Sequence, residues 1–178
     1  MSKPNIYGKI DLNECKYLGR GRNGKVYLLT DGKTVIKICR IEKSCIDEYK
    51  VLKAAEGNRY FPKVYGRLGK IMFREYVGGE KLPVYLRKNK LSRELAISLI
   101  GLIEEFKRLG FRRLDIRGEH IYVQKDESVI VIDPSGQIIR SARYPKSMIK
   151  ELKRQKCEKS FFEILKEVRP DLYKQWKR

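Results

Sequence analysis

The sequence predicts an α+β fold, with a five-stranded antiparallel sheet and one helix in the first half and mainly helices in the second half. Two observations carry this prediction. Over residues 16–77, short segments rich in Val, Ile, Tyr and Leu alternate with Gly and Asp turns, which is typical of strands. Over residues 92–168, apolar residues recur every three or four positions, which is typical of amphipathic helices.

The first half divides into five strands and one helix. The predicted strands are residues 16–21, 25–30, 34–39, 63–68 and 70–77. Asp31-Gly32 supplies turn residues for a hairpin, and the last two strands join near Gly69. Apolar residues at helical spacing predict a helix over residues 43–56, which Gly57-Asn58 ends.

The second half begins with a long helix, for which Ser92 is the predicted N-cap and Gly110 the end. Two short β-branched segments follow at residues 120–123 and 128–133, and helical patterns fill residues 147–168. We therefore predict a single domain of two lobes, with residues 1–77 in the first lobe and 78–178 in the second.

Composition restricts the class of protein. The chain has 178 residues, 42% of them hydrophobic, and lacks a run of 18 apolar residues or a secretory signal, so we expect a cytoplasmic protein with no membrane span. Its four cysteines show no CxxC spacing and it has one histidine, so we expect reduced cysteines without structural zinc. The net charge of +19 favours a polyanionic partner such as ATP or nucleic acid, and the alternative is a solvated basic surface.

A glycine-rich segment lies between the first two predicted strands. Gly19, Gly21, Gly24 and Val26 form a GxGxxGxV pattern, in which glycines let backbone N–H groups approach phosphate oxygens closely. A dinucleotide-binding loop would open a helix instead of a strand, so the pattern favours a phosphate-binding loop of another kind.

Lys37 is a charged residue inside the β-branched segment 34–39. Glu48, on the predicted helix that follows, can supply a carboxylate that fixes the ammonium where nucleotide phosphates would lie. The alternative is a surface lysine on an edge strand.

This order of glycine loop, strand lysine and helix glutamate resembles the eukaryotic-like protein kinase superfamily. The resemblance implies that the chain binds ATP and Mg²⁺ or Mn²⁺, and that residues 74–77 form the hinge. It also implies that adenine contacts the backbone at Glu75 and Val77. Arg74 departs from the apolar residue that kinases usually carry beside the adenine pocket.

The segment LDIRGEHIYV at residues 114–123 resembles the kinase catalytic loop. The resemblance implies that Asp115 is the catalytic aspartate, and that Arg117 replaces the lysine that neutralises the transferring phosphoryl group. His120 stands where kinases carry a metal-binding asparagine. Asp133, followed by Pro134-Ser135-Gly136, stands for the metal-binding aspartate of the DFG motif. The alternatives are two turn aspartates and an inert histidine.

The second lobe is short for a kinase, because no long activation segment separates Asp133 from the helix near Ser147. The chain therefore resembles minimal, atypical members of the superfamily, such as RIO-type and lipopolysaccharide-type kinases, and serine/threonine kinases of bacteria and archaea. This implies phosphotransfer to an unidentified hydroxyl acceptor. It requires Lys37, Asp115 and Asp133 to meet around one triphosphate. The alternatives are a pseudokinase scaffold and a kinase-fold adaptor for nucleic acid.

The last 36 residues are basic and contain aromatic residues. From Arg143 to Arg178 there are twelve Lys and Arg against five Asp and Glu, interleaved with Phe161, Phe162, Tyr173 and Trp176. This pattern is compatible with a nucleic-acid surface. The alternative is a pair of amphipathic helices whose aromatic residues pack into the core.

Overall fold

The computed structural model describes residues 6–7, 10–134, 138 and 141–177, and it confirms an α+β protein. Ser135 and Gly136, which belong to the predicted metal-binding motif, lie outside the described residues. Two compact units are present. The first contains the described residues up to Gly57 together with Pro62–Tyr76, and the second contains Asn58–Phe61 and Val77 onward.

The division differs from the predicted lobes at Asn58–Phe61 and at Val77, which were assigned to the first lobe. The backbone carbonyl of Tyr60 accepts a hydrogen bond from the Val131 N–H, at 2.8 Å. The Phe61 ring stacks on Phe106, with 5.7 Å between ring centroids. These contacts join a segment of the loop after the first helix to the second unit.

Among its described residues, the first unit contains seven strands and one helix. The elements are β1 Ile6–Tyr7, β2 Ile10–Asp11, β3 Lys16–Gly21, β4 Gly24–Leu28, β5 Thr34–Cys39, α1 Glu42–Ala54, β6 Val64–Leu68 and β7 Ile71–Glu75. Five of the strands form one antiparallel sheet, as predicted, and their order in it is β3-β4-β5-β7-β6. Strand β5 therefore lies at the centre.

The central strand has two buried faces because successive side chains point to opposite sides of a sheet. Ile36 packs on one face with Leu12 and Tyr27. Helix α1 contacts β5, β6 and β7, and its buried residues include Cys45 and Glu48. A strand covered in this way reads as a nearly continuous apolar segment, which is why β5 is so clear in the sequence.

The second unit contains a three-stranded sheet and five α-helices within the described residues. Its elements are β8 Glu80–Lys81, α2 Leu82–Lys88, α3 Arg93–Arg108, a 3₁₀ turn Gly118–His120, β9 Ile121–Val123, β10 Val129–Val131, α4 Lys146–Arg154, α5 Glu158–Val168 and α6 Pro170–Trp176. Strand order is β10-β9-β8, all antiparallel. The predicted long helix and hairpin are present, whereas β8, α2 and α6 were not predicted.

Helix α3 begins at its predicted N-cap. The Ser92 hydroxyl accepts a hydrogen bond from the Leu95 N–H and donates one to Glu127, at 2.6 Å. Glu127 also accepts a hydrogen bond from the Tyr85 hydroxyl of α2, at 2.6 Å. One carboxylate in the β9–β10 turn therefore joins α2, α3 and the hairpin. No helix among the described residues is long and apolar enough to cross a membrane.

Candidate functional site

The two units carry two sets of candidate residues, which are described separately. In the first unit, Lys37 lies on the central strand with 4% of its surface exposed and forms an ion pair with Glu48, which is 1% exposed. The alternative of a surface lysine on an edge strand is therefore wrong. Burying an ammonium group costs free energy unless a counter-charge and hydrogen bonds compensate for it. The carboxylate of Glu48 supplies that counter-charge to Lys37.

Strand register places three of the candidate phosphate-binding residues in one lateral row. Gly19 pairs with Val26, Val26 pairs with Lys37, and Lys37 pairs with Met72. Directly paired residues present their side chains on the same face of a sheet, with Cβ atoms about 4.5–5.5 Å apart. The side chains of Lys37 and Val26 therefore lie on the same face of the sheet. Gly19 belongs to the same row but has no side chain on that face.

The structural requirement for glycine differs among the three glycines of the loop. Gly24 has a φ of +154°, and a Cβ there would lie 2.1 Å from the carbonyl oxygen of Ile38, so the sheet itself requires glycine. Added Cβ atoms at Gly19 and Gly21 would meet no heavy atom within 4 Å. The space above these two residues is open, and a bound phosphate would find exposed backbone there.

The predicted hinge residues lie at the end of β7 and just after it. Glu75 is paired with Thr34, and its N–H donates a hydrogen bond to the Lys63 carbonyl, at 2.8 Å. Arg74 is 5% exposed, and its guanidinium donates to the Glu75 carbonyl, at 2.8 Å. The Glu75 carbonyl therefore already accepts a hydrogen bond from the Arg74 side chain. Val77 is buried in the second unit.

In the second unit, Asp115 is held by the start of α4. Its carboxylate accepts hydrogen bonds from the Ser147 N–H, at 2.6 Å, and from the Ser147 hydroxyl, at 2.7 Å. The guanidinium of Arg113 lies 3.6 Å from the same carboxylate, and the Asp115 side chain is 13% exposed. The carboxylate thus has a clear structural function as a cap for α4, whose first-turn N–H groups need acceptors.

The Asp115 contact is the feature that sequence reasoning missed. Ser147 lies 32 residues after Asp115, and no motif links the two. The glycine at position 118 is also explained by a residue distant in sequence. A Cβ at Gly118 would lie 2.9 Å from the Glu151 side chain of α4. The absence of a side chain at Gly118 therefore lets the loop approach α4.

His120 and Asp133 come together across the hairpin. Nδ1 of His120 lies 3.4 Å from the backbone carbonyl of Asp133, and the Ile132 N–H donates to the His120 carbonyl, at 2.9 Å. Asp133 has a φ of +54°, a conformation that is uncommon for residues other than glycine and is often found at functional sites. Arg117 is exposed just before the 3₁₀ turn.

These groups fit a divalent metal by their chemistry. An imidazole whose Nδ1–H donates a hydrogen bond to a backbone carbonyl keeps a lone pair on Nε2. This is the usual arrangement of a metal-binding histidine. The Asp133 carboxylate would supply the oxygen ligand that Mg²⁺ and Mn²⁺ prefer. Among the described residues, His, Cys, Asp and Glu form no cluster of three or more that could hold a metal by themselves.

Comparison with models of known protein families found no match. Comparison with curated proteins also found no significant match.

Proposed function

We propose that this chain is an ATP-dependent phosphotransferase of minimal protein-kinase type, which transfers the γ-phosphoryl group to a hydroxyl acceptor of the serine/threonine class. The observation that carries the proposal is the buried Lys37–Glu48 pair on the central strand, in one row with Val26 and Gly19. A lysine oriented by a helix glutamate beneath a glycine-rich hairpin is the arrangement that kinases use to hold nucleotide phosphates.

Each candidate residue has a defined part in the proposed reaction. Lys37 and the backbone of Gly19 and Gly21 bind and orient the phosphates. Asp115 accepts a hydrogen bond from the acceptor hydroxyl and takes its proton as the oxygen–phosphorus bond forms and the bond to ADP breaks. Arg117 offsets charge on the transferring group.

Asp133 and His120 are the proposed metal-binding residues. A bound Mg²⁺ or Mn²⁺ ion would neutralise part of the charge on the phosphate oxygens. The distance of 3.4 Å between His120 Nδ1 and the Asp133 carbonyl supports this assignment, because the two residues lie next to each other.

The contact between Asp115 and Ser147 supports the role of Asp115 as a hydrogen-bond acceptor for hydroxyl groups. The Ser147 hydroxyl donates to the Asp115 carboxylate at 2.7 Å, which is the interaction that an acceptor substrate would also need. An incoming hydroxyl would share this carboxylate with Ser147.

The first experiment is a thermal-shift measurement with ATP and Mg²⁺ or Mn²⁺, because a ligand that binds only the folded chain raises its melting temperature. We expect a shift with ATP plus metal that Lys37→Met abolishes, while Lys50→Met, at an exposed lysine of α1, retains it. Absence of any shift in the wild-type chain would refute nucleotide binding and with it the proposal.

The second experiment measures transfer of label from γ-³²P ATP to the chain or to generic phosphoacceptor proteins, together with ADP formation. Asp115→Asn is expected to abolish transfer and to keep the ATP-induced thermal shift, because the aspartate acts on the acceptor rather than on the nucleotide. A shift without turnover in the wild-type chain would favour the pseudokinase alternative. Equal turnover in Asp115→Asn would contradict the role of Asp115.

A further inference from the structure

A cavity lined by aromatic residues lies beside α5 and α6 in the second unit. Its volume is about 430 Å³, and its aromatic lining consists of Tyr144, Phe162, Tyr173 and Trp176. Phe161, by contrast, is fully buried in the core. Some aromatic residues of the basic C-terminal segment therefore pack into the core, and others line a cavity.

Two of the rings that line this cavity contact each other. Phe162 meets Tyr173 edge to face, with 6.2 Å between centroids and an interplanar angle of 73°. Both residues are half-buried, so part of each ring is accessible. Trp176 is 1% exposed, and its indole N–H has no hydrogen-bond partner among the residues that the structure describes. Buried indole N–H groups usually have an acceptor, and a ligand that enters the cavity would supply one.

Lysine side chains surround the same rings. Lys177 Nζ lies 5.1 Å from the Tyr173 ring centroid, and Lys166 Nζ lies 6.0 Å from it. Lys159 also lines the cavity, together with the acidic residues Glu158 and Glu163. An anionic group attached to a planar ring stacked here would find ammonium groups within a few ångströms.

A second cavity, which we call the basic groove, lies on the other side of the first turn of α5. Its volume is about 530 Å³, and it lies between the α2–α3 linker and the α4–α5 linker. Arg87, Lys88, Lys90 and Lys156 line it, and none of its lining residues is acidic. Residues of the first turn of α5 line both cavities, with Ser160 in the groove and Lys159 in the aromatic cavity. The two cavities are therefore neighbours.

We propose that the aromatic cavity and the basic groove together bind single-stranded nucleic acid, with a base stacked in the cavity and neighbouring phosphates in the groove. Single strands are bound by this combination of aromatic stacking and a positively charged path for the backbone. The net charge of +19 would add long-range attraction. Other polyanions, such as heparin or an acidic membrane, have negative charges that would bind in the groove. They have no planar base that would stack in the cavity. The site uses none of the residues assigned to phosphotransfer, so it stands or falls independently.

Fluorescence anisotropy with a 5′-fluorescein dT12 oligonucleotide and an abasic oligonucleotide of the same length tests this proposal. We expect the wild-type chain to bind dT12 about tenfold or more tightly than the abasic strand, because each stacked base contributes substantially to affinity. Phe162→Leu should lower dT12 affinity about tenfold and leave abasic affinity unchanged, whereas Phe162→Tyr, which keeps a ring, should retain dT12 affinity.

Charge variants test the groove. Lys156→Gln should weaken binding of both oligonucleotides. It should also reduce the slope of log affinity against log salt by about 0.7, the value for one phosphate contact in a single strand. Lys50→Gln, an exposed lysine of the first unit, is the matched control and should change neither quantity.

Equal affinity of the wild-type chain for dT12 and for the abasic strand would overturn the proposal and indicate a general polyanion surface. This comparison needs no variant, so it remains decisive even where Phe162→Leu fails to fold. Affinity that is flat with salt, or unchanged in Lys156→Gln relative to Lys50→Gln, would also overturn the assignment of the groove.

Discussion

The buried pair of Lys37 and Glu48 gives the sharpest prediction, through the substitution Glu48→Gln. The substitution keeps the size of the side chain and removes its charge. The Lys37 ammonium then loses the carboxylate that offsets its charge, at a position only 4% exposed. Removing one partner of a buried ion pair costs about 3–5 kcal/mol, because the other charge remains out of water.

A matched control exists in the same helix region. Lys53 and Glu56 form a second Lys–Glu ion pair, but their side chains are 50% and 47% exposed. Water and salt screen such a pair, so Glu56→Gln should change the free energy of unfolding little. The difference between the two Glu→Gln substitutions therefore reports burial rather than residue type.

Urea unfolding and thermal denaturation measure the effect. At about 2–4 °C per kcal/mol for a chain of this size, Glu48→Gln should lower the melting temperature by roughly 6–20 °C. The double substitution Lys37→Met with Glu48→Leu should recover most of the loss, since an apolar replacement of a buried pair is often neutral or stabilising. That variant should fold and lack the ATP-induced thermal shift.

Two results would refute the reasoning. One is a loss of unfolding free energy for Glu48→Gln that is no larger than the loss for Glu56→Gln. That result would mean that Lys37 is not a buried, charged ammonium group. The other is a normal ATP-induced shift in the folded double variant. That result would leave the pair with a structural function and remove the main support for nucleotide binding.

Three further predictions follow from the second unit and from the cysteines. Ser147→Ala should cost about 1.5–3 kcal/mol in chemical denaturation, the range for a hydrogen bond to a charged group, because Asp115 loses its hydroxyl donor; Ser147→Thr should recover part of this. The hydrogen bond to Glu127 raises the pKa of Tyr85 from 10.0 to about 12; its contribution to stability is present below pH 10 and is lost as the pH rises through 12, and Tyr85→Phe should remove one late-titrating tyrosine from the absorbance at 295 nm. Burial raises the pKa of the Cys39 and Cys45 thiols, so iodoacetamide at pH 8 should modify them slowly in the native chain and rapidly in guanidinium chloride; equal rates in both conditions would contradict their burial.

Local sequence patterns predicted most of the elements. The strands at residues 16–21 and 34–39 have the bounds that alternation and turn residues indicate, and α3 begins after the predicted Ser92 cap. Helix α2 was not predicted, because its seven residues make less than two full turns and give no measurable periodicity. Helix α6 has the same length and begins at Pro170, beyond the predicted helical patterns at residues 147–168.

Candidate residues could be named from the sequence because their spacing resembles a kinase, but their environments could not. Alternation does not encode strand order, so Lys37 is equally compatible with an edge strand and with the central strand that β5 proves to be. The positive φ of Asp133 likewise depends on the packing around the end of β10.

The sequence by itself determined the α+β class, the order of strands and helices along the chain, and the residue types available for phosphate chemistry, because each depends on neighbours within a few positions. Only the tertiary structure decided that Lys37 is buried against Glu48, that Asp115 caps α4 through Ser147, and that two cavities flank the start of α5. These features are contacts through space between distant residues, and burial, which gives a charge or a ring its energetic effect, exists only once the chain has folded.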